Sequence, residues 1–82
     1  MPLEELKKAS KIVVGTKQTL KVVEAGEAQR VFVARDAEVR IVEPILKACR
    51  QRDVGIVEVD SMHDLGRACS IKVGAAVAAI LE

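Results

Sequence analysis

The sequence predicts an α/β domain: four strands, largely parallel or mixed, in one central sheet covered by helices on both faces. Three observations lead there. Short apolar runs of strand length alternate along the chain with amphipathic stretches of helical period. Gly15, Gly26 and Gly55 fall at junctions between such stretches. The apolar half of the composition is almost all Val, Ile, Leu and Ala, with one Phe and no Tyr or Trp, which suits thin layers of helix on sheet.

Leu3 and Leu6, with Ala9 three residues on, give a short helix with an apolar stripe, and Ile12-Val13-Val14 reads as a buried strand. From Thr16 to Ala25, Leu20 and Val23 fall on one side while Lys17, Lys21 and Glu24 fall on another, and Gly26 stands where a helix stops. Val31-Phe32-Val33-Ala34 is a second buried strand, followed by the polar turn Arg35-Asp36-Ala37. Val42, Ile45, Leu46 and Cys49 share one face of the next helix. Pro44 places its start near Glu43, or else makes Glu38 to Val42 a separate, kinked turn. Ile56 to Val59 forms a third strand. Ser61 with Asp64 resembles a capping box, which opens a short helix over Met62 to Ala68. Val73 to Leu81 reads as the closing buried strand; at nine residues it is about half of the roughly 20 needed to span a bilayer.

Eighty-two residues with no repeat or linker imply one domain over residues 1–82. A chain of this size buries only about 60% of the surface it exposes unfolded, so its core must be efficient. Glu4 and Glu5 stand where a signal or transit peptide would carry bases, which predicts a cytoplasmic protein. Cys49 and Cys69 are too far apart for a C-x-x-C motif and read as buried thiols. The net charge of +1 conceals a local cluster: Lys7, Lys8, Lys11, Lys17 and Lys21 occur with no acid among them, while the 61 residues that follow carry eight bases and ten acids. Such a cluster suits a small face that meets phosphates, and equally a solvated lysine face on helices.

The inventory for catalysis is thin. His63 is the one histidine, no Ser/His/Asp or Cys/His pairing stands out, and no metal-ligand spacing occurs, so no enzyme and no cofactor is predicted. Gly15 is followed by Thr-Lys-Gln rather than further glycines, which excludes a P-loop or dinucleotide fingerprint. What Gly15-Thr16-Lys17-Gln18 can do is open a helix N-terminus at the end of a strand, where backbone N–H groups and the helix dipole favour an anion. Lys17 and Lys21 share a helix face, and Gln18 lies between them, a carboxamide able to read a purine edge beside two ammonium groups. An ordinary amphipathic helix after a Gly-ended strand fits the same spacing. Exposed aromatics for stacking single-stranded bases are missing, which favours a folded RNA over an unpaired one.

The run Val14-Gly15-Thr16-Lys17-Gln18-Thr19-Leu20-Lys21 resembles that of the kink-turn-binding ribosomal proteins of the L-seven-Ae and L-thirty-e type, in particular their small stand-alone bacterial members. So do Gly26, Val33 to Ala37, Val59-Asp60-Ser61, Leu65-Gly66, Ala68 and the closing Val73 to Ile80. The resemblance covers nearly the whole chain. It implies a three-layer α/β/α sandwich with a central four-stranded mixed sheet. It also implies binding to the kink-turn, an RNA helix bent sharply at a short bulge next to tandem sheared G·A pairs. The family's G·A-reading motif falls on Gly15, Thr16, Lys17, Gln18 and Lys21, with Lys17-Gln18 where archaeal relatives carry Asn-Glu. Its second contact, a loop against an extruded nucleotide, falls on Val59, Asp60, Ser61 and Met62, with Asp60 where proline is frequent. The expected partner is therefore kink-turn RNA in a ribosomal or riboswitch setting, bound by a monomer with no membrane association. The rival expectation is a protein-interaction or structural module whose lysine cluster meets an acidic partner.

Overall fold

The structure, a computed structural model, describes residues 2–81, with the side chain of Pro2 left aside. Its elements run α1 (Pro2–Lys8), β1 (Ile12–Val14), α2 (Thr16–Glu24), β2 (Ala28–Ala34), α3 (Val39–Arg52), β3 (Gly55–Val59), α4 (Met62–Ala68) and β4 (Val77–Leu81). The four strands form one mixed sheet in the order β1-β4-β2-β3, with β4 antiparallel to both β1 and β2, and β2 parallel to β3. The helices α2 and α3 pack on each other along one side, and α1 meets α4. This is the three-layer α/β/α sandwich that the alternation of elements predicts.

The core lies where the apolar runs place it: Phe32, Val31, Val23, Leu6, Ile45, Leu65 and Val77 are almost fully buried. The strand β2 crosses the middle of the sheet, and Val31 to Ala34 read as a continuous apolar run because both faces are covered. It begins three residues earlier than that run. Gln29 and Arg30 interrupt the hydrophobic pattern, the ladder is irregular between Ala28 and Arg30, and Arg30 escapes burial by donating to both carboxylate oxygens of Glu5 in α1 at 2.7 and 2.8 Å. By contrast β1 is only half-buried, as befits a short strand at the sheet's edge.

Several boundaries differ from the sequence pattern for identifiable reasons. The helix α3 is continuous from Val39 through Pro44 to Arg52, with no separate turn before it. Pro44 and Arg40, whose carbonyl loses the usual donor four residues on, are both exposed, so water can satisfy the freed group. The helix ends at Asp53, in the left-handed conformation with φ 59°. On α2, the buried face is Thr19, Val22 and Val23, and Leu20 is only partly covered. Gly26, at φ 75°, completes a double C-terminal closure in which its N–H donates to Val23 and that of Glu27 to Val22.

The closing strand is the largest correction. It starts at Val77, and Val73, expected in a buried strand, is 71% exposed. Residues 70–76 are instead a loop wrapped on α4: Ile71 N–H donates to Gly66, Ala75 N–H donates to the Met62 carbonyl at 3.0 Å, and Gly74 runs against Met62. An alanine-rich apolar stretch carries no mark of where its ladder begins. Here the start is set by partners, since the Ala76 carbonyl accepts from Ala34 and that of Val77 from Gly15.

Candidate nucleic-acid interface

One end of the sheet gathers the Gly15 and Val59 segments singled out by sequence, but the fold splits the lysine cluster: Lys11, whose carbonyl accepts from Leu81 N–H, lies at the opposite end from Lys17. The last residues of β1, β2 and β3 and the first of β4 lie at the Gly15 end, as the pairs Val14–Ala78, Val33–Val77 and Ala34–Val59 require. The Gly15 turn therefore leaves one edge of this rim and the Val59-Asp60 turn leaves the other. Three strand spacings separate them, about 14 Å.

At the first edge, Gly15 has φ 101° and ψ 158°, a conformation open to glycine and strained for any other residue. Its N–H is not free, since it donates to the Val77 carbonyl at 3.0 Å and fixes the turn to β4. The first helical bond runs from Thr19 N–H to the Gly15 carbonyl at 3.0 Å, and no side chain caps the helix. The amides of Thr16, Lys17 and Gln18 thus precede the first helical bond and project from an uncapped start whose first turn holds no acid. Lys17, Gln18 and Lys21 are exposed, and among the described residues neither ammonium is in an ion pair. Beside Thr16 and Lys17 lies a shallow groove of about 200 Å³, lined also by Leu20, Ile41, Pro44 and Ile45 where α2 meets α3.

The second edge is built differently. Val59 is 4% exposed, and its carbonyl accepts from Arg35 N–H. Asp60 is exposed. Ser61 is the N-cap of α4, its hydroxyl accepting from Asp64 N–H at 3.1 Å, and the Met62 amide donates to the Asp36 carboxylate at 2.8 Å. The start of α4 is thus occupied by the protein's own oxygens. Met62 is half-buried, so in this segment exposed surface comes mainly from Asp60 with part of Ser61 and Met62.

Between the two edges lies the loop that enters β4, carrying exposed Lys72 and Val73. Reading Val73 as core hid this segment. The signal that could have found it is Gly74, which breaks the apolar run directly before the alanines, with a lysine two residues ahead of it.

Elsewhere the chemistry is sparse. Cys49 and Cys69 are free and buried, and burial pushes both thiols above their ordinary value, with Arg50 partly opposing this at Cys49. His63 is exposed on α4. Among the described residues no group of three His, Cys, Asp or Glu side chains could hold a metal ion, and no helix is long and apolar enough to cross a membrane.

The chain is similar to proteins that carry RNA-binding names. It is 48% identical to an RNA-binding protein of Geobacillus thermodenitrificans and 48% identical to RNA-binding protein YbxF of Geobacillus stearothermophilus, each over 82 residues and the full length of both chains. Among solved structures, the Giardia lamblia 15.5kD RNA binding protein superimposes with a TM-score of 0.87 at 33% identity, over 98% of this chain and 68% of that one. A protein of unknown function from Bacillus halodurans shares the fold, with a TM-score of 0.84 at 22% identity over 98% of this chain and 80% of that one. The family model described as "Ribosomal protein L7Ae/L30e/S12e/Gadd45 family" matches residues 2–82, and the chain belongs to that family.

Proposed function

We propose that this protein recognises and stabilises kink-turn RNA, without turnover, through the rim of its sheet. The observation that carries the reading is a contrast between two helix starts at that rim. The start of α4 is closed by Ser61 and Asp36, whereas the start of α2 is left open, free of acids and flanked by two exposed ammonium groups. An uncapped helix start costs stability unless water or a ligand satisfies its amides. Phosphate and base-edge acceptors are suitable ligands for those amides. In this reading Lys17 and Lys21 hold phosphates, and Gln18 meets the exposed edges of the sheared G·A pairs. Gly15 and Thr16 let the RNA approach closely.

The second contact is assigned to Val59, Asp60, Ser61 and Met62, with Val59 as its buried floor. Met62 and the neighbouring exposed Val73 supply an apolar surface on which an extruded nucleotide can rest. A ligand touching both edges must present two features about 14 Å apart in a fixed relation. A bent, folded RNA does this and a flexible single strand does not. The relatives' RNA-binding names and the family membership support RNA as the partner class; the kink-turn, in a ribosomal or riboswitch RNA, is our reading of the site.

The decisive experiment compares binding of a kink-turn RNA with binding of the same duplex lacking its tandem G·A pairs. Strong preference for the kink-turn is expected. Equal, weak binding to both would overturn the reading and favour the rival, in which the lysine cluster serves an acidic protein.

A further inference from the structure

Asp36 is out of place on a surface that meets phosphates. It stands just beyond the end of β2, exposed at the rim between the two candidate contacts, where a carboxylate would repel the ligand. Its bonding explains its presence. The Asp36 carboxylate accepts from the Met62 amide at 2.8 Å, the Met62 carbonyl accepts from the Ala75 amide at 3.0 Å, and the Met62 side chain lies against Gly74. Met62 is therefore held on one side by the β2–α3 turn and holds, on the other, the loop that carries Lys72 and Val73.

We infer that Asp36 is a positioning residue for RNA recognition: through Met62 it fixes the Lys72-Val73 loop at the rim, so that Val73 is presented to the ligand in a preset place. This deepens the proposed function and rests on it. The physical basis is that a loop ordered before binding spares the complex the entropy of ordering it. A carboxylate on a helix-start amide is a charge-assisted bond whose negative charge is directed toward the helix dipole. The carboxylate is tolerated at an RNA-facing rim because part of its charge is spent internally.

The test uses the whole chain with Asp36→Ala and Asp36→Asn. Both remove the charge, but only Asn keeps an oxygen that can accept from Met62, so a difference between them isolates the bond. Asp36→Ala is expected to weaken kink-turn binding about tenfold, the order of the cost of ordering one loop residue on binding, while Asp36→Asn stays within about twofold of wild type. Combining Asp36→Ala with Val73→Ala should weaken binding hardly further than Val73→Ala alone. Combining it with Lys17→Ala should retain the full tenfold. Should Asp36→Ala melt too near the assay temperature, Asp36→Glu, which keeps the charge but displaces the acceptor, replaces it and should show intermediate loss. The inference is overturned if Ala and Asn variants bind alike, or if the losses from Asp36 and Val73 simply add.

Amide hydrogen exchange at Ala75 supplies a readout that needs no RNA: faster exchange in Asp36→Ala than in Asp36→Asn is expected, and equal rates would show that Asp36 does not hold the loop. If the wild type shows no preference for the kink-turn, the functional reading falls and the RNA part of this inference with it. The exchange data then decide the linkage by themselves.

Discussion

The backbone carbonyl of Val73 occupies the space that a side chain on Gly66 would need. Helix α4 and the loop entering β4 thus touch backbone to backbone, and Gly66 is required for its lack of a side chain rather than for any special φ. Gly66→Ala should cost about 1–3 kcal/mol, the range for overfilling a packed site, because the nearest atoms are main chain and cannot rotate away. Urea denaturation measures it. Wild-type stability in this variant would mean that the loop yields freely, and would count against its fixed presentation of Val73.

Thr19 is fully buried on the inner face of α2, and its hydroxyl has no hydrogen-bond partner among the described residues. A buried hydroxyl without a partner carries its desolvation cost uncompensated. Thr19→Val keeps the shape and removes that group, so the melting temperature should rise, by the equivalent of about 1 kcal/mol, with RNA affinity unchanged. A clear loss of stability would show instead that the hydroxyl bonds back to the Gly15 carbonyl, four residues earlier, and helps to hold the turn.

Much of this architecture is legible in the residues. Val31 to Ala34 announces a doubly covered strand, Ser61 and Asp64 announce the start of α4, and Gly26 marks the end of α2 by the left-handed conformation it adopts. What the pattern conceals depends on partners distant in sequence. The first residues of β2 look polar because Arg30 is matched by Glu5, 25 positions away. The start of β4 is fixed by Ala34 and Gly15, and the loop before it by Met62 and Gly66. The candidate site divides in the same way: Gly15 to Lys21 is one local run whose spacing can be read directly, whereas the role of Asp36 and the exposure of Val73 exist only after the chain has folded.

For the basic face, Lys17→Ala and Lys21→Ala should each reduce the dependence of log affinity on log salt by about 0.7 to 0.9 for every phosphate that the lysine neutralises. Both side chains are exposed, and neither is in an ion pair among the described residues, so stability should stay within about 0.5 kcal/mol. Gln18→Ala should act otherwise, lowering discrimination between kink-turn and G·A-disrupted RNA by about 1–3 kcal/mol with little change in salt slope. Binding isotherms at several salt concentrations separate the two behaviours. An unchanged slope in the double lysine variant would remove α2 from the interface.

The turn at Gly15 gives the most discriminating test, because two effects of a side chain there can be separated. With φ at 101° the backbone is strained for any other residue, so both Gly15→Ala and Gly15→Val should lose about 1–3 kcal/mol of stability. Within the protein, however, no atom other than those of Gly15 and its two chain neighbours lies within 4 Å of the place where a Cβ would stand. A loss of affinity that grows with the size of the side chain, beyond any difference in stability between the two variants, must therefore come from what occupies that open space in the complex. If RNA packs on the turn, the loss of kink-turn affinity should be larger for Val than for Ala, while the two melting temperatures remain close. Affinity and melting have to be measured on the same samples, well below the midpoint of the less stable variant. Should both variants stay folded at the assay temperature and bind the kink-turn as tightly as the wild type, close approach at Gly15 is excluded, and the RNA contact must be sought elsewhere on the rim.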